Sequence, residues 1–250
     1  MNKLESYIYK YLTRDLDSSL QSIVKHYIKS PGKHIRAHLV LYGASISLKE
    51  NSLKWKTLNK EMDFFQKINL AKFNDNLILA CSLIEIIHLA SLVHDDIIDD
   101  APKRRNQTAL HIRRSTKQAI LAGDYLFAKA INLAHQLPTA CKKHIVKAIQ
   151  DMVYGEFLEA VSDKANKEKY FTIIENKTAS LFGCSMLIGF LIAQDAILDN
   201  ESSELISYEM NKNKLVIEKK EIANKIYKWA FNLGKLYQIK DDIDDQEFPF

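Results

Sequence analysis

Residues that interrupt helices are scarce in this chain: 4 prolines and 7 glycines among 250 residues, too few to punctuate a protein of many strands and tight turns. Leu, Ile, Lys, Ala and Glu are abundant instead, so an all-α fold is expected. The 3 cysteines, Cys81, Cys141 and Cys184, are far apart in sequence, which excludes a zinc knuckle and a disulfide framework and fits a reducing cytoplasm. The N-terminal MNKLESYIYKYL lacks the apolar core of a signal peptide, and no run reaches the roughly 18 uncharged apolar residues of a membrane span. The most apolar stretch, residues 179–196, contains Gly183, Gly189 and Gln194 and reads as a buried helix. No Pro-, Gly- or Ser-rich linker divides the sequence, so one domain over residues 1–250 is expected.

The net charge of +4 is an average over clusters. Acidic residues gather at 95–100 and 241–245, and basic residues at 103–105 and 113–114. Such clustering suits an anionic ligand held by metal and cationic side chains, and argues against a broad nucleic-acid surface.

Apolar residues recur at helical spacing from 4 to 28, and Ser30-Pro31-Gly32 ends that pattern. A second helix restarts with Lys33 and Arg36, three apart on one face. Residues 44–75 are polar and are expected to be irregular, with one short helix. From Asn76 to Asp99 apolar residues return at steps of three and four, Pro102 ends the helix or opens the next loop, and residues 103–108 are expected to form that loop. Further helices are expected at 141–161, 170–193 and 218–245, with a polar stretch at 199–213.

Two segments carry the chemistry. His94-Asp95-Asp96-Ile97-Ile98-Asp99 and Gln238-Ile239-Lys240-Asp241-Asp242-Ile243-Asp244-Asp245 each contain Asp-Asp-x-x-Asp within an apolar helical pattern. Buried carboxylates repel one another and need a cation. On a helix Asp95 and Asp99 share a face, as do Asp241 and Asp245, while Asp96 sits about 100° around from Asp95 as a supporting group. Two such walls would hold hard divalent ions, which suits Mg²⁺ shared with a phosphate-bearing ligand better than zinc or di-iron. Arg104, Arg105, Lys33, Arg36 and Lys177 are the candidate phosphate contacts.

Together with Gly32-Lys33-His34-Ile35-Arg36, residues 87–99, Arg104-Arg105-Asn106, Gly123-Asp124-Tyr125-Leu126, Lys177-Thr178 and residues 237–245, these segments resemble the all-trans polyprenyl diphosphate synthases. The resemblance runs from Gly32 to Asp245. It implies an all-helical fold around a large central cavity, normally a homodimer, with at most peripheral membrane contact for product release. It further implies that Asp95, Asp99 and Asp241, with Asp245, hold up to three Mg²⁺ ions on an allylic diphosphate, supported by Asp96 and Asp242. Arg104, Lys177 and Gln238 would contact that diphosphate, and Thr178 would guide the reacting end. Lys33, Arg36, His88 and Arg105 would bind isopentenyl diphosphate.

The family closes its product channel with bulky residues four and five places before the first motif. Here those places hold Ser91 and Ala90, with Ile87 one turn further and Met152 or Phe157 as deeper stops, so a medium- or long-chain product such as an octaprenyl diphosphate is expected over a fifteen-carbon one. A geranylgeranyl or farnesyl diphosphate synthase is the nearest alternative. The family also continues past its second motif with a glycine- and lysine-containing loop and further helices, whereas this sequence stops at Phe250. The expectation is therefore a reduced lid, a second subunit of a heteromeric synthase, or a shortened form. A terpene cyclase shares the scaffold but lacks the residues expected for isopentenyl diphosphate.

Overall fold

The computed structural model describes residues 3–14, 16, 18, 20–22, 32–50, 71–104, 107–162, 166–201 and 212–245. They form α1 (Lys3–Thr13), α2 (Ile35–Glu50), α3 (Ala71–Ile98), a hairpin of β1 (Lys103–Arg104) and β2 (Gln107–Thr108), α4 (Leu110–Arg113), α5 (Thr116–Ala134), α6 (Thr139–Val161), α7 (Lys167–Ile174), a π-helical segment (Glu175–Ala179), α8 (Ser180–Glu201) and α9 (Lys212–Asp244). The all-α expectation holds, with one two-residue ladder, Lys103 opposite Thr108 and Arg104 opposite Gln107, where a plain loop was expected.

The core lies along α3 and α8. Leu83, Ile84, Ile86, Ile87 and Val93 of α3 are fully buried, as are Leu181, Ile188 and Ala193 of α8; burial on this scale is the main favourable term in folding. Both helices lie in stretches long and apolar enough to cross a membrane by length and composition, yet within this fold they are mostly buried. The expected buried helix at 179–196 is thus found. The α2–α8 crossing is close: a Cβ on Gly43 would stand 1.9 Å from the Met186 carbonyl oxygen, and one on Gly189 1.8 Å from that of Val40. Only glycine permits this backbone contact.

Helix boundaries have local causes. Ser115 caps α5 by accepting from Gln118 N at 3.2 Å, and Asn166 caps α7 by accepting from Lys169 N at 3.2 Å. The end of α3 is a left-handed stop. Asp100 has φ +46°, Ala101 N donates to Asp96 O at 3.0 Å and Asp100 N to Ile97 O at 3.3 Å, the paired bonds of a Schellman ending. Pro102 therefore opens the hairpin and does not itself end the helix.

The expected irregular stretch at 44–75 is corrected at both ends, since α2 continues to Glu50 and α3 begins at Ala71; residues 51–70 lie outside the described set. The serines that suggested a loop are satisfied within helices. Ser45 Oγ donates to Tyr42 O at 2.7 Å, and buried Ser47 accepts from Gln194 Nε2 at 2.9 Å across the α2–α8 contact. The expected helix at 4–28 is broken after Thr13, with helix again at 20–22, and residues 23–31 lie outside the described set.

Candidate active site

A cavity of about 1380 Å³ opens between the start of α2, one face of α3, the C-terminal half of α6, α7 with the π segment, and the end of α9. Its α3 wall follows helical spacing: Glu85, His88, Ser91 and Leu92, Asp95 and Asp99 line it, while Ile87 and Ala90 project about 100° aside. Those two are fully buried in the core. Of the three residues expected to set product length, only Ser91 reaches the cavity. The deeper candidates Met152 and Phe157 both line it.

Asp95 of α3 and Asp99 just past its end line this space, as do Asp241 and Asp242 of α9 and Asp245 just past its end, so the two aspartate motifs share one cavity. Burial, with Glu156 beside it, pushes the Asp95 carboxyl up to about 7 against the pull of Lys177 and Arg104. Burial also raises the Asp241 carboxyl, with Lys240 and Lys33 opposing and Asp245 and Asp242 adding to the rise. In both walls burial disfavours the ionised carboxylate more than the nearby cations favour it.

Asp96 is placed differently. It is fully buried, does not line the cavity, and accepts from Arg104 Nε at 2.5 Å. Arg104 reaches the cavity from β1 and is oriented by this bond. Arg105 lies outside the described residues. His94 has a structural role: its Nε2 donates to Ile120 O at 3.2 Å, with Asp124 Oδ1 at 3.4 Å, tying α3 to α5.

Lys177 and Thr178 sit in the π segment, a one-residue insertion that turns a helix face locally. Gly155 on α6 makes room for it, since a Cβ there would lie 2.3 Å from Lys177 N. Lys177 Nζ bridges to Glu156 Oε2 at 2.7 Å and to Glu159. Burial works against its charge, yet Asp95, Glu159 and Glu156 hold the ammonium well above the ordinary lysine range. Glu156 and Glu159 are absent from the sequence-based candidates, although two carboxylates three apart beside a glycine on an apolar helix are a readable signal.

Thr178 Oγ1 donates to Gln238 Oε1 at 2.6 Å, Gln238 Nε2 donates to Asp242 Oδ1 at 2.7 Å, and Tyr170 OH donates to Asp242 Oδ2 at 2.5 Å. Both Asp242 oxygens are therefore engaged in bracing α7 and the π segment against α9. Burial and this carboxylate raise the Tyr170 hydroxyl's pKa. On the basic side, Lys33 is exposed, and Arg36 stacks 4.8 Å above the Phe182 ring. Lys33, Arg36 and His88 all line the same cavity.

An all-helical fold with two carboxylate walls and a basic side around one cavity defines an isoprenoid-synthase type of protein. The polyprenyl synthetase family model matches residues 17–247, and the chain belongs to that family. It is 26% identical over 252 residues to the short chain isoprenyl diphosphate synthase of Methanocaldococcus jannaschii, covering 98% of this chain and 62% of that protein. It is 30% identical over 242 residues to the geranylfarnesyl diphosphate synthase of Methanosarcina mazei, covering 96% and 66%. The chain thus spans just under two thirds of these relatives' lengths. The crystal structure of a geranyltranstransferase from Methanosarcina mazei superposes with a TM-score of 0.67 at 28% identity, covering 97% of this chain and 71% of that one.

Proposed function

We propose that this chain is a trans-prenyltransferase that condenses isopentenyl diphosphate head-to-tail with an allylic diphosphate. The observation that carries the reading is the meeting of both aspartate motifs with Lys33, Arg36, Arg104 and Lys177 around one cavity. A cation site fits the donor set. The oxygens of Asp95, Asp99, Asp241 and Asp245 are hard ligands, and the raised Asp95 and Asp241 pKa values mark charge that a dication would balance. Among the described residues no three His, Cys, Asp or Glu side chains converge to hold a metal by themselves. Bound Mg²⁺ would supply the positive charge that stabilises the departing diphosphate.

The chain's own residues divide the remaining work. Arg104, oriented by Asp96, and Lys177 offer donors to the allylic diphosphate. Lys33, Arg36 and His88 receive isopentenyl diphosphate opposite them, so that its double bond meets the allylic carbon as the carbon–oxygen bond breaks. Gln238, fixed between Thr178 and Asp242, borders the diphosphate. Apolar cavity residues such as Leu92 and Phe127 keep water from the carbocation, and the departing diphosphate takes the proton lost in forming the new double bond.

A medium- or long-chain product is the favoured outcome, supported by small Ser91 on the cavity wall, which Met152 and Phe157 also line. The active form is a homodimer in this reading, which is supported by exposed Leu121 and Tyr125 on α5 and Tyr154 on α6. The test is incorporation of labelled isopentenyl diphosphate with farnesyl diphosphate, with and without Mg²⁺, followed by product sizing. Metal-dependent elongation supports the reading. Folded protein that incorporates nothing, alone or with a second synthase subunit, overturns it.

A further inference from the structure

The basic side of the cavity is built on the first turn of α2, and that turn is held by a carboxylate outside both aspartate motifs. Glu85 lies on α3 with its side chain 10% exposed. Its Oε1 accepts from Ala37 N at 3.1 Å, and its Oε2 meets His34 Nδ1 at 2.9 Å. One side chain thus caps a helix some fifty residues away in sequence, satisfying an amide that the helix itself leaves without a partner and placing negative charge at the favourable end of its dipole.

The second bond acts on the backbone. His34 has φ +47°, a left-handed conformation that a residue with a Cβ keeps only where its surroundings hold it. His34 stands directly between Lys33 and the helix that carries Arg36, so its conformation sets the direction in which Lys33 leaves the chain. Arg36 is fixed from the other side, its guanidinium resting on the fully buried Phe182 ring of α8. Lys33, His34, Arg36 and Glu85 all line the cavity.

We propose that Glu85 is a positioning residue for the isopentenyl diphosphate subsite: by capping α2 and holding His34 in its left-handed turn, it presents Lys33 and Arg36 together to the diphosphate. The inference rests on the elongation reading above. A turn already ordered before the ligand arrives removes part of the entropic cost of immobilising two long cationic side chains on binding. Loss of Glu85 should therefore weaken isopentenyl diphosphate and leave the allylic diphosphate, held from α3, β1, the π segment and α9, little affected.

The experiment compares steady-state kinetics and melting temperatures of the whole chain with those of Glu85→Ala, Glu85→Gln and His34→Ala. Glu85→Ala is expected to raise KM for isopentenyl diphosphate roughly tenfold while KM for the allylic diphosphate stays within about twofold. Glu85→Gln keeps an oxygen for the Ala37 amide and supplies an N–H to the other His34 tautomer, so its KM should stay within about threefold of the parent value. His34→Ala, which removes one of the two bonds, should fall between them. An unchanged KM for isopentenyl diphosphate in Glu85→Ala overturns the proposal, as does a parallel rise in both KM values. A Glu85→Gln variant as impaired as Glu85→Ala overturns it too, because charge and not geometry would then be responsible. Calorimetric binding of isopentenyl diphosphate separates the two layers: parent protein that binds it without consuming it overturns the elongation reading alone, and Glu85→Ala protein that binds it as tightly as the parent overturns the positioning role.

Discussion

The Asp96 carboxylate accepts the Arg104 Nε–H at 2.5 Å, joining the end of α3 to the hairpin, with the Asp96 side chain 1% exposed and that of Arg104 32% exposed. The two partners are therefore unequal. Arg104→Ala removes the cation that a buried carboxylate holds at 2.5 Å and should cost more stability than Asp96→Asn, which retains an acceptor for the guanidinium and should cost about 1–2 kcal/mol. Denaturant titration of both variants tests this order, and equal losses would mean that the Arg104 bond is not what balances the Asp96 carboxylate.

Asp95 should make metal-free stability depend on pH. Its carboxyl is raised from 3.8 in the unfolded reference to about 7 in the fold, so between those values the folded chain holds a proton that the unfolded chain has released. The contribution is fully present below about pH 4 and is lost as pH rises through about 7. Asp95→Asn carries no such charge. It should match the parent at pH 4 and exceed it at pH 8 by roughly 4 kcal/mol in chelator-treated protein. Denaturation curves at the two pH values decide it; a parent whose advantage grows with pH would show the opposite sign.

The two aspartate walls predict a symmetrical loss of turnover. Asp95→Ala and Asp241→Ala should each reduce elongation by about 10²-fold or more, with the helical circular dichroism signal unchanged. Near-normal turnover in both variants would leave the paired walls without a role in the chemistry.

The sequence pattern made the Asp95–Asp99 face legible because a helix repeats its environment every three or four residues. The same periodicity set Asp96 aside from that face as a supporting group, and its bond to Arg104 of the hairpin is a contact between segments that periodicity does not show. The π segment was illegible for a related reason. Its sequence, Glu175-Asn176-Lys177-Thr178-Ala179, is ordinary for an α-helix, and its fit depends on Gly155 of another helix. Glu85 carried a signal that passed unused: a lone carboxylate in Leu83-Ile84-Glu85-Ile86-Ile87 needs a partner as much as Asp95 does. Serine content misled at 44–50, where Ser45 and Ser47 bond within and between helices.

Product length gives the last test, because adjacent residues of α3 should respond differently to the same substitution. Ser91 lines the cavity, and its hydroxyl donates to His88 O at 2.9 Å within the helix. In Ser91→Phe the ring can enter the cavity at little cost in packing, so the product distribution should shift to shorter chains with stability changed by less than about 1 kcal/mol. Ala90 is fully buried within the core of α3. In Ala90→Phe the ring has no open volume to enter, so overpacking should cost about 1–3 kcal/mol or more before any effect on product length. Product sizing and melting temperature, measured on both variants, separate the two positions. A shorter product from Ala90→Phe at unchanged stability would place the growing chain on the opposite side of α3 from the cavity that holds Asp95.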